Sequence, residues 1–129
     1  MIGMQNVLAV AFGGALGSTS RYVVVTLLHA RFALNFPLGT LLVNVFGSFL
    51  LSLLATLFVF DSGVESPAKL MVTTGFLGGF TTYSAFSYEV IDFGTRGEFS
   101  IMAAYAFAMV ALCFVAAFLG YVVAVSLRP

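Results

Sequence analysis

The sequence is poor in charged residues, with five Lys and Arg and five Asp and Glu among 129 positions. An average soluble domain is about 25% charged and about half apolar. This chain is 8% charged and 61% hydrophobic, and its mean hydropathy is +1.12. Ten charged side chains are too few to cover the surface of a soluble protein of this size. The composition therefore excludes an ordinary cytosolic domain and a disordered tail, and it indicates a protein whose solvent is lipid.

Other residues that the chain lacks exclude further functional classes. The net charge is zero, so no basic face is available to bind the phosphates of a nucleic acid. The single cysteine, Cys113, lies in an apolar run, which excludes a disulfide framework and a cysteine-based zinc site. There is one histidine, no HExxH or GxSxG motif, and no Gly-rich phosphate loop before a lysine. We therefore expect the protein not to be an enzyme.

Long uncharged runs predict an all-α membrane protein with four spanning helices. A span needs about 20 mostly apolar residues, and the runs fit helices at about 5–28, 38–60, 69–92 and 99–126. Before the third run, Ser66 and Pro67 are typical of an N-cap followed by a proline in the first turn. The connections are short, so we predict a single transmembrane domain over residues 1–129 that functions within the bilayer.

The basic residues favour neither orientation in the membrane. Lysines and arginines in loops normally set the orientation. Four spans place Lys69 and Arg128 on one side and Arg31 and Arg96 on the other, with Arg21 nearest the second side. Two interpretations stay open. Either a small protein with few charges is oriented by other cues, or copies insert both ways up and pair as an antiparallel homodimer.

The second span carries a row of polar residues at a spacing of four, namely Thr40, Asn44, Ser48, Ser52 and Thr56. Each step advances about 40° around a helix, so the row forms a slowly winding stripe. Polar groups at membrane depth usually face protein or a water-filled path. For Ser52 and Thr56 we favour helix–helix contact. Asn44 fits a helix–helix contact and a ligand-binding role equally well.

The third span has a poor helix interior, because Gly78-Gly79 is followed after Phe80 by Thr81-Thr82. A break there would free backbone groups, which is tolerated in a bilayer only inside protein or beside a cavity. Freed carbonyls can bind a small cation, and freed N–H groups favour an anion. Tyr83 and Phe86 share a face, and their ring edges could line an anion path. The alternative is a kinked but continuous packing helix.

Pairs of small residues predict close helix packing, with Gly13 and Gly17 in the first span and Gly75 and Gly79 in the third. Charged residues near the span ends are less specific indicators of function. Arg21 can reach the interface or place a positive charge near a pore mouth. Glu89 and Asp92 end the third span, and we expect both to face water.

No acidic residue occurs from Met1 to Phe60. Small four-span multidrug antiporters resemble this chain in size and charge balance, but they depend on an embedded glutamate in the first span. Proton-coupled export of cations is therefore disfavoured and kept as the alternative function. A non-transporting assembly or anchor subunit is a third possibility.

Three segments together, residues 13–22, 39–49 and 75–89, resemble the CrcB/Fluc fluoride channels of bacteria. The resemblance spans the chain in the order and spacing of that family. It implies a multi-pass protein of the bacterial inner membrane that exports fluoride passively, as an antiparallel homodimer with two pores. It also implies a central structural Na⁺ bound by backbone carbonyls of the third-span breaks, here those of Gly78 and Thr81. Expected partners are the fluoride ion, a second copy and the bilayer, with no nucleic acid.

The resemblance also assigns roles to side chains. Asn44 would donate a hydrogen bond to fluoride, and Tyr83 and Phe86 match the paired phenylalanines of the family's pore. Tyr105 matches the family's tyrosine in the fourth span. Arg21 matches the arginine near the vestibule.

The chain departs from the family pattern at several pore positions. Tyr83 replaces the usual phenylalanine, and it keeps the ring edge while adding a hydroxyl. Met109 and Cys113 stand where the family often has hydroxyl residues, so a hydroxyl track along the fourth span is largely lost. Thr82, Ser84 or water would then supply the missing donors.

Overall fold

A computed structural model describes residues 3–32, 36–60 and 66–127. Its helices, as we number them, are α1 (Met4–Phe32), α2 (Leu38–Phe60), α3 (residues 67–80), α4 (Tyr83–Thr95) and α5 (Phe99–Ser126). All regular structure in these ranges is helical, which confirms the all-α prediction. Helices α1, α2 and α5 are each long and apolar enough to cross a membrane.

The residues at the helix ends explain where α3 begins. Helix α3 begins at Pro67, two residues before the predicted start, and the Ser66 side chain accepts a hydrogen bond from the Lys69 N–H at 3.3 Å. This confirms the predicted N-cap and first-turn proline. Helix α1 continues to Phe32, four residues beyond the predicted end. Arg128, used in the charge comparison, lies outside the described residues.

The predicted third span consists of α3 and α4 and is broken near its middle, as predicted. An α-helical turn, Pro67–Leu70, is followed by a π-helical stretch, Met71–Leu77, and by a last α-helical turn, Gly78–Phe80. Thr81 and Thr82 are extended, and α4 starts at the next residue. The alternative of a kinked but continuous helix is therefore wrong, and the π-helical stretch was not predicted.

Glycines bring the backbones of α1 and α3 into direct contact. A Cβ atom on Gly13 would overlap the carbonyl of Met71, and one on Gly17 would overlap the carbonyl of Phe76. On the facing helix, a Cβ atom on Gly79 would lie 2.7 Å from the carbonyl oxygen of Gly14. The small-residue pairs of the first and third spans thus face each other, which confirms the packing prediction and fixes α3 beside α1.

We predict that Gly17→Ala destabilises the protein by about 1–3 kcal/mol, because the added methyl group meets backbone that cannot move aside. Gly14→Ala is the matched control, since a Cβ atom there makes an ordinary contact at 3.8 Å from the Gly75 carbonyl oxygen. Thermal unfolding in detergent compares the two variants. Equal transition temperatures would contradict the close contact.

The buried core holds α4 against α2 and α5. It consists of Leu41, Phe86, Phe93, Tyr105 and Met109. Tyr105, from α5, is completely buried at its centre. Through Leu41 the cluster packs α4, the helix after the break, against α2, the helix that carries the polar row.

Candidate functional site

Two cavities lie along α4, one at each end of the buried aromatic cluster. The first, of about 350 Å³, adjoins the helix break, and we call it the break cavity. Its polar and aromatic lining residues include Asn44, Ser48, Thr82, Tyr83 and Phe86. The second, of about 300 Å³, contains the carboxylates of Glu89 and Asp92, and we call it the acidic cavity. The polar row of α2 lines both, with Thr40 in the acidic cavity and Asn44 in the break cavity.

Asn44 is fixed to the backbone of the break by two hydrogen bonds. Its Oδ1 accepts from the Thr82 N–H at 2.7 Å, and its Nδ2 donates to the Thr82 carbonyl at 2.9 Å. Because the first bond requires an acceptor and the second a donor, the amide has only one orientation. The other hydrogen on Nδ2 points to Met109 Sδ, at 3.6 Å. Asn44 thus makes the helix–helix contact and still presents a weakly used donor beside the cavity.

The break diverts backbone donors from the carbonyls of Gly78 and Thr81. In an unbroken helix, the Thr82 N–H would reach the Gly78 carbonyl, but here it donates to Asn44. The Ala85 N–H would reach the Thr81 carbonyl, but it donates to the hydroxyl of Thr82 at 3.2 Å. These are the two carbonyls expected to bind a cation. No group of three or more His, Cys, Asp or Glu side chains that could hold a metal occurs within the described ranges.

Arg21 belongs to α1, is half-buried, and lies beside the C-terminal end of α3. Its Nε donates to the Gly79 carbonyl at 3.2 Å, and a cation is favourable beside the carbonyl end of a helix. Arg21 does not line the break cavity or the acidic cavity. Its role near a vestibule stays a prediction.

Three aromatic rings run from the surface to the core. The centroid of Phe86 lies 5.5 Å from that of Tyr83 and 5.5 Å from that of Tyr105, and both pairs are edge-to-face at 68°. Tyr83 is 78% exposed, whereas Phe86 is 6% exposed. Tyr83 and Phe86 line the break cavity, but Tyr105 is sealed behind them. The predicted aromatic pair is thus brought together at the cavity, with Tyr105 as its support.

We expected Glu89 to face water, but the structure places it differently. Its side chain is half-buried, and its two carboxylate oxygens accept hydrogen bonds from Thr40 Oγ1 and from the Tyr105 hydroxyl, each at 2.6 Å. The expectation failed because these partners lie 49 and 16 residues away in sequence. The only available signal was Thr40, the first member of the polar row on α2. Asp92 forms an ion pair with Arg96 at 3.2 Å.

The remaining predicted donors differ in position. The Thr82 hydroxyl caps α4, and the exposed Ser84 hydroxyl lies 3.2 Å from it without lining the break cavity. Met109 and Cys113 of α5 do line that cavity. At these two positions the cavity wall therefore carries sulfur atoms in place of the hydroxyl groups of the family pattern.

Comparisons with known proteins agree on one family. A family model described as "CrcB-like protein, Camphor Resistance (CrcB)" matches residues 8–121. A relative from Anaeromyxobacter sp. (strain K), named "Fluoride-specific ion channel FluC", is 44% identical over 115 residues, which cover 89% of this chain and 91% of the relative. Proteins of the same name come from Thermus thermophilus, 42% identical over 92% of this chain and 94% of the relative, and from Geobacter sulfurreducens, 40% identical over 94% and 98%.

Proposed function

The chain belongs to the CrcB family, and we propose that it is a fluoride-selective channel through which F⁻ leaves the cytoplasm passively. The relatives named as fluoride-specific channels match nearly the whole chain. A channel of this family, built from apolar helices, is a multi-pass protein of the bacterial inner membrane and not an enzyme. The observation that carries the proposal for this chain is the fixed Asn44 amide at the break cavity, whose second Nδ2–H has only a weak acceptor, Met109 Sδ.

Fluoride needs the kind of groups that the break cavity offers. The ion is small and strongly hydrated, so a pore must replace its water with donors without trapping it. Asn44 offers an N–H group, and the hydroxyl groups of Ser48 and Thr82 are at the same cavity. The edges of the Tyr83 and Phe86 rings carry partial positive charge and attract an anion weakly. Weak, mixed coordination of this kind permits both selection and release.

We further propose that two copies pair antiparallel and form two pores. The exposed face of a single chain supports this, because Tyr83 lines the break cavity and yet is 78% exposed. A second copy would close the cavity from that side. The basic residues are divided nearly evenly between the two membrane sides, two against three when Arg21 is counted, and this agrees with insertion in both orientations. The test is Arg31→Cys in a Cys113→Ser background, labelled with a thiol reagent that cannot cross the membrane. Labelling from one side only would reject dual topology.

We also propose that a central Na⁺ binds to the backbone of the break. Gly78 and Thr81 have carbonyl groups whose helical donors are diverted to side chains, and Gly78 is exposed, where a second copy can bring matching carbonyls. Carbonyls at a broken helix are suitable ligands for this cation. When bound, a fixed cation offsets the repulsion between anions in a medium of low dielectric constant.

We predict that exhaustive replacement of Na⁺ by N-methylglucamine abolishes most of the fluoride flux, and that added Na⁺ restores it. The physical reason is the loss of the charge that offsets anion repulsion. Fluoride efflux from vesicles measured before and after Na⁺ removal is the readout. Unchanged efflux at undetectable Na⁺ would remove the cation from the proposal and leave the channel itself in place.

The proposed channel function is tested by reconstitution in liposomes. Vesicles that contain the purified protein should release fluoride faster than chloride. No preference for fluoride over chloride would reject the proposal.

A further inference from the structure

Two hydrogen-bond donors in the break cavity point at the same atom, the sulfur of Met109. Asn44 Nδ2 lies 3.6 Å from Met109 Sδ, and Cys113 Sγ lies 3.8 Å from it. The donors come from different helices, α2 and α5. Met109 is 5% exposed and lines the cavity. Convergence of two donors on one point is the arrangement expected of an anion site.

The atom at this point is a poor acceptor for those donors. A thioether sulfur accepts hydrogen bonds weakly, whereas Asn N–H is a full donor. The amide cannot turn toward a better partner, because its oxygen and its other N–H are both bonded to Thr82. An anion at the sulfur's position would therefore make stronger hydrogen bonds than the sulfur does.

We propose that Met109 is a movable plug whose sulfur occupies a fluoride subsite formed by Asn44 and Cys113. Methionine is unbranched and has three rotatable bonds past its backbone, so its end can withdraw while the helix stays in place. When the sulfur leaves, the Asn44 N–H and the Cys113 S–H point at the incoming ion. This inference rests on the proposed function and names a residue that controls access in this chain.

The first test observes the plug directly by NMR of ¹³C-methyl-labelled methionine in the full-length protein. The chain has five methionines, and the Met109 signal is assigned by its absence in Met109→Leu. We expect NaF to shift this signal and equal NaCl to leave it unchanged. Met102 is the internal control: it lies two turns earlier on the same face of α5, next to Gly94 and away from the break cavity. Its signal should not respond to fluoride.

The second test measures flux. Removing the plug with Met109→Ala should raise fluoride efflux about fivefold, which corresponds to an opening cost of about 1 kcal/mol, the size of one ordinary hydrogen bond. Met102→Ala should leave the efflux unchanged. A Met109 signal that is unmoved by NaF, in a wild-type protein that conducts fluoride, would overturn the proposal even if Met109→Ala fails to fold. Unchanged flux through a folded Met109→Ala channel would overturn it as well. Absence of fluoride flux through the wild type would instead reject the proposed function.

Discussion

Asn44→Asp is expected to reduce fluoride flux about 10- to 100-fold, the rate equivalent of losing a hydrogen bond to a charged group. The carboxylate can still accept from the Thr82 N–H, but it cannot donate to the Thr82 carbonyl or to an ion in the break cavity. It also places a negative charge on the path of an anion. Initial efflux rates from proteoliposomes, normalised to the amount of folded protein, measure the loss.

Ser52→Ala is the matched control for this substitution. Ser52 belongs to the same polar row, two turns further along α2, and it does not line the break cavity. Its replacement should leave flux within about twofold of the wild type, since it removes one hydroxyl group from a half-buried position that does not line the break cavity. Normal flux in Asn44→Asp would show that fluoride does not pass this amide.

Phe86→Ile is expected to reduce fluoride flux about 3- to 10-fold, the rate equivalent of an aromatic interaction of about 0.5–1.5 kcal/mol. Isoleucine fills part of the space and stays apolar, but it has no ring edge of positive potential. The ring also supports Tyr83 and Tyr105 through edge-to-face contacts at 5.5 Å. The same efflux assay measures the change, and the fluoride-to-chloride ratio should fall with it.

Phe76→Ile separates this effect from a loss of aromatic packing. Phe76 is half-buried and stacks on Phe80 with ring centroids 6.0 Å apart, and it does not line the break cavity. It should lose packing energy without losing conduction. An equal fall in flux in both variants would assign the effect of Phe86→Ile to stability alone.

The positions of the helices could be predicted because a helix that crosses a bilayer must be long and mostly apolar. The uncharged runs are long enough to span a bilayer, and Gly78-Gly79 followed by Thr81-Thr82 indicates a weak helix interior at the place where the break occurs. Facing glycines on α1 and α3 were visible as pairs at a spacing of four. The π-helical stretch Met71–Leu77 has no comparable signal, because nothing in its composition distinguishes it from an α-helix.

The candidate site was predicted in part. Asn44, Tyr83 and Phe86 do meet at one cavity. The partners of Asn44 could not be deduced, because its contact with Thr82 joins residues 38 positions apart. Glu89 was assigned to water for the same reason, since its two partners come from other helices. Periodicity within one helix gives the face of a residue, but not what faces it.

Glu89 bears on the alternative function. A proton-coupled antiporter needs a titratable carboxylate inside the helix bundle, and Glu89 is half-buried among α2, α4 and α5. Both oxygens of that carboxylate already accept hydrogen bonds from Thr40 and Tyr105. A carboxylate held in this way is suited to fixing the three helices together. The related proteins are named as channels, which also favours a channel over an antiporter.

The most direct test of the fluoride channel is an efflux measurement on vesicles loaded with equal KF and KCl, in the presence of Na⁺. Valinomycin lets K⁺ leave, so that any anion with a conductive path follows it, and separate electrodes record fluoride and chloride. A passive fluoride channel releases fluoride on addition of valinomycin, retains chloride, and needs no pH gradient. Release of both anions at the same rate, or release of fluoride only when a pH gradient is imposed, would contradict it.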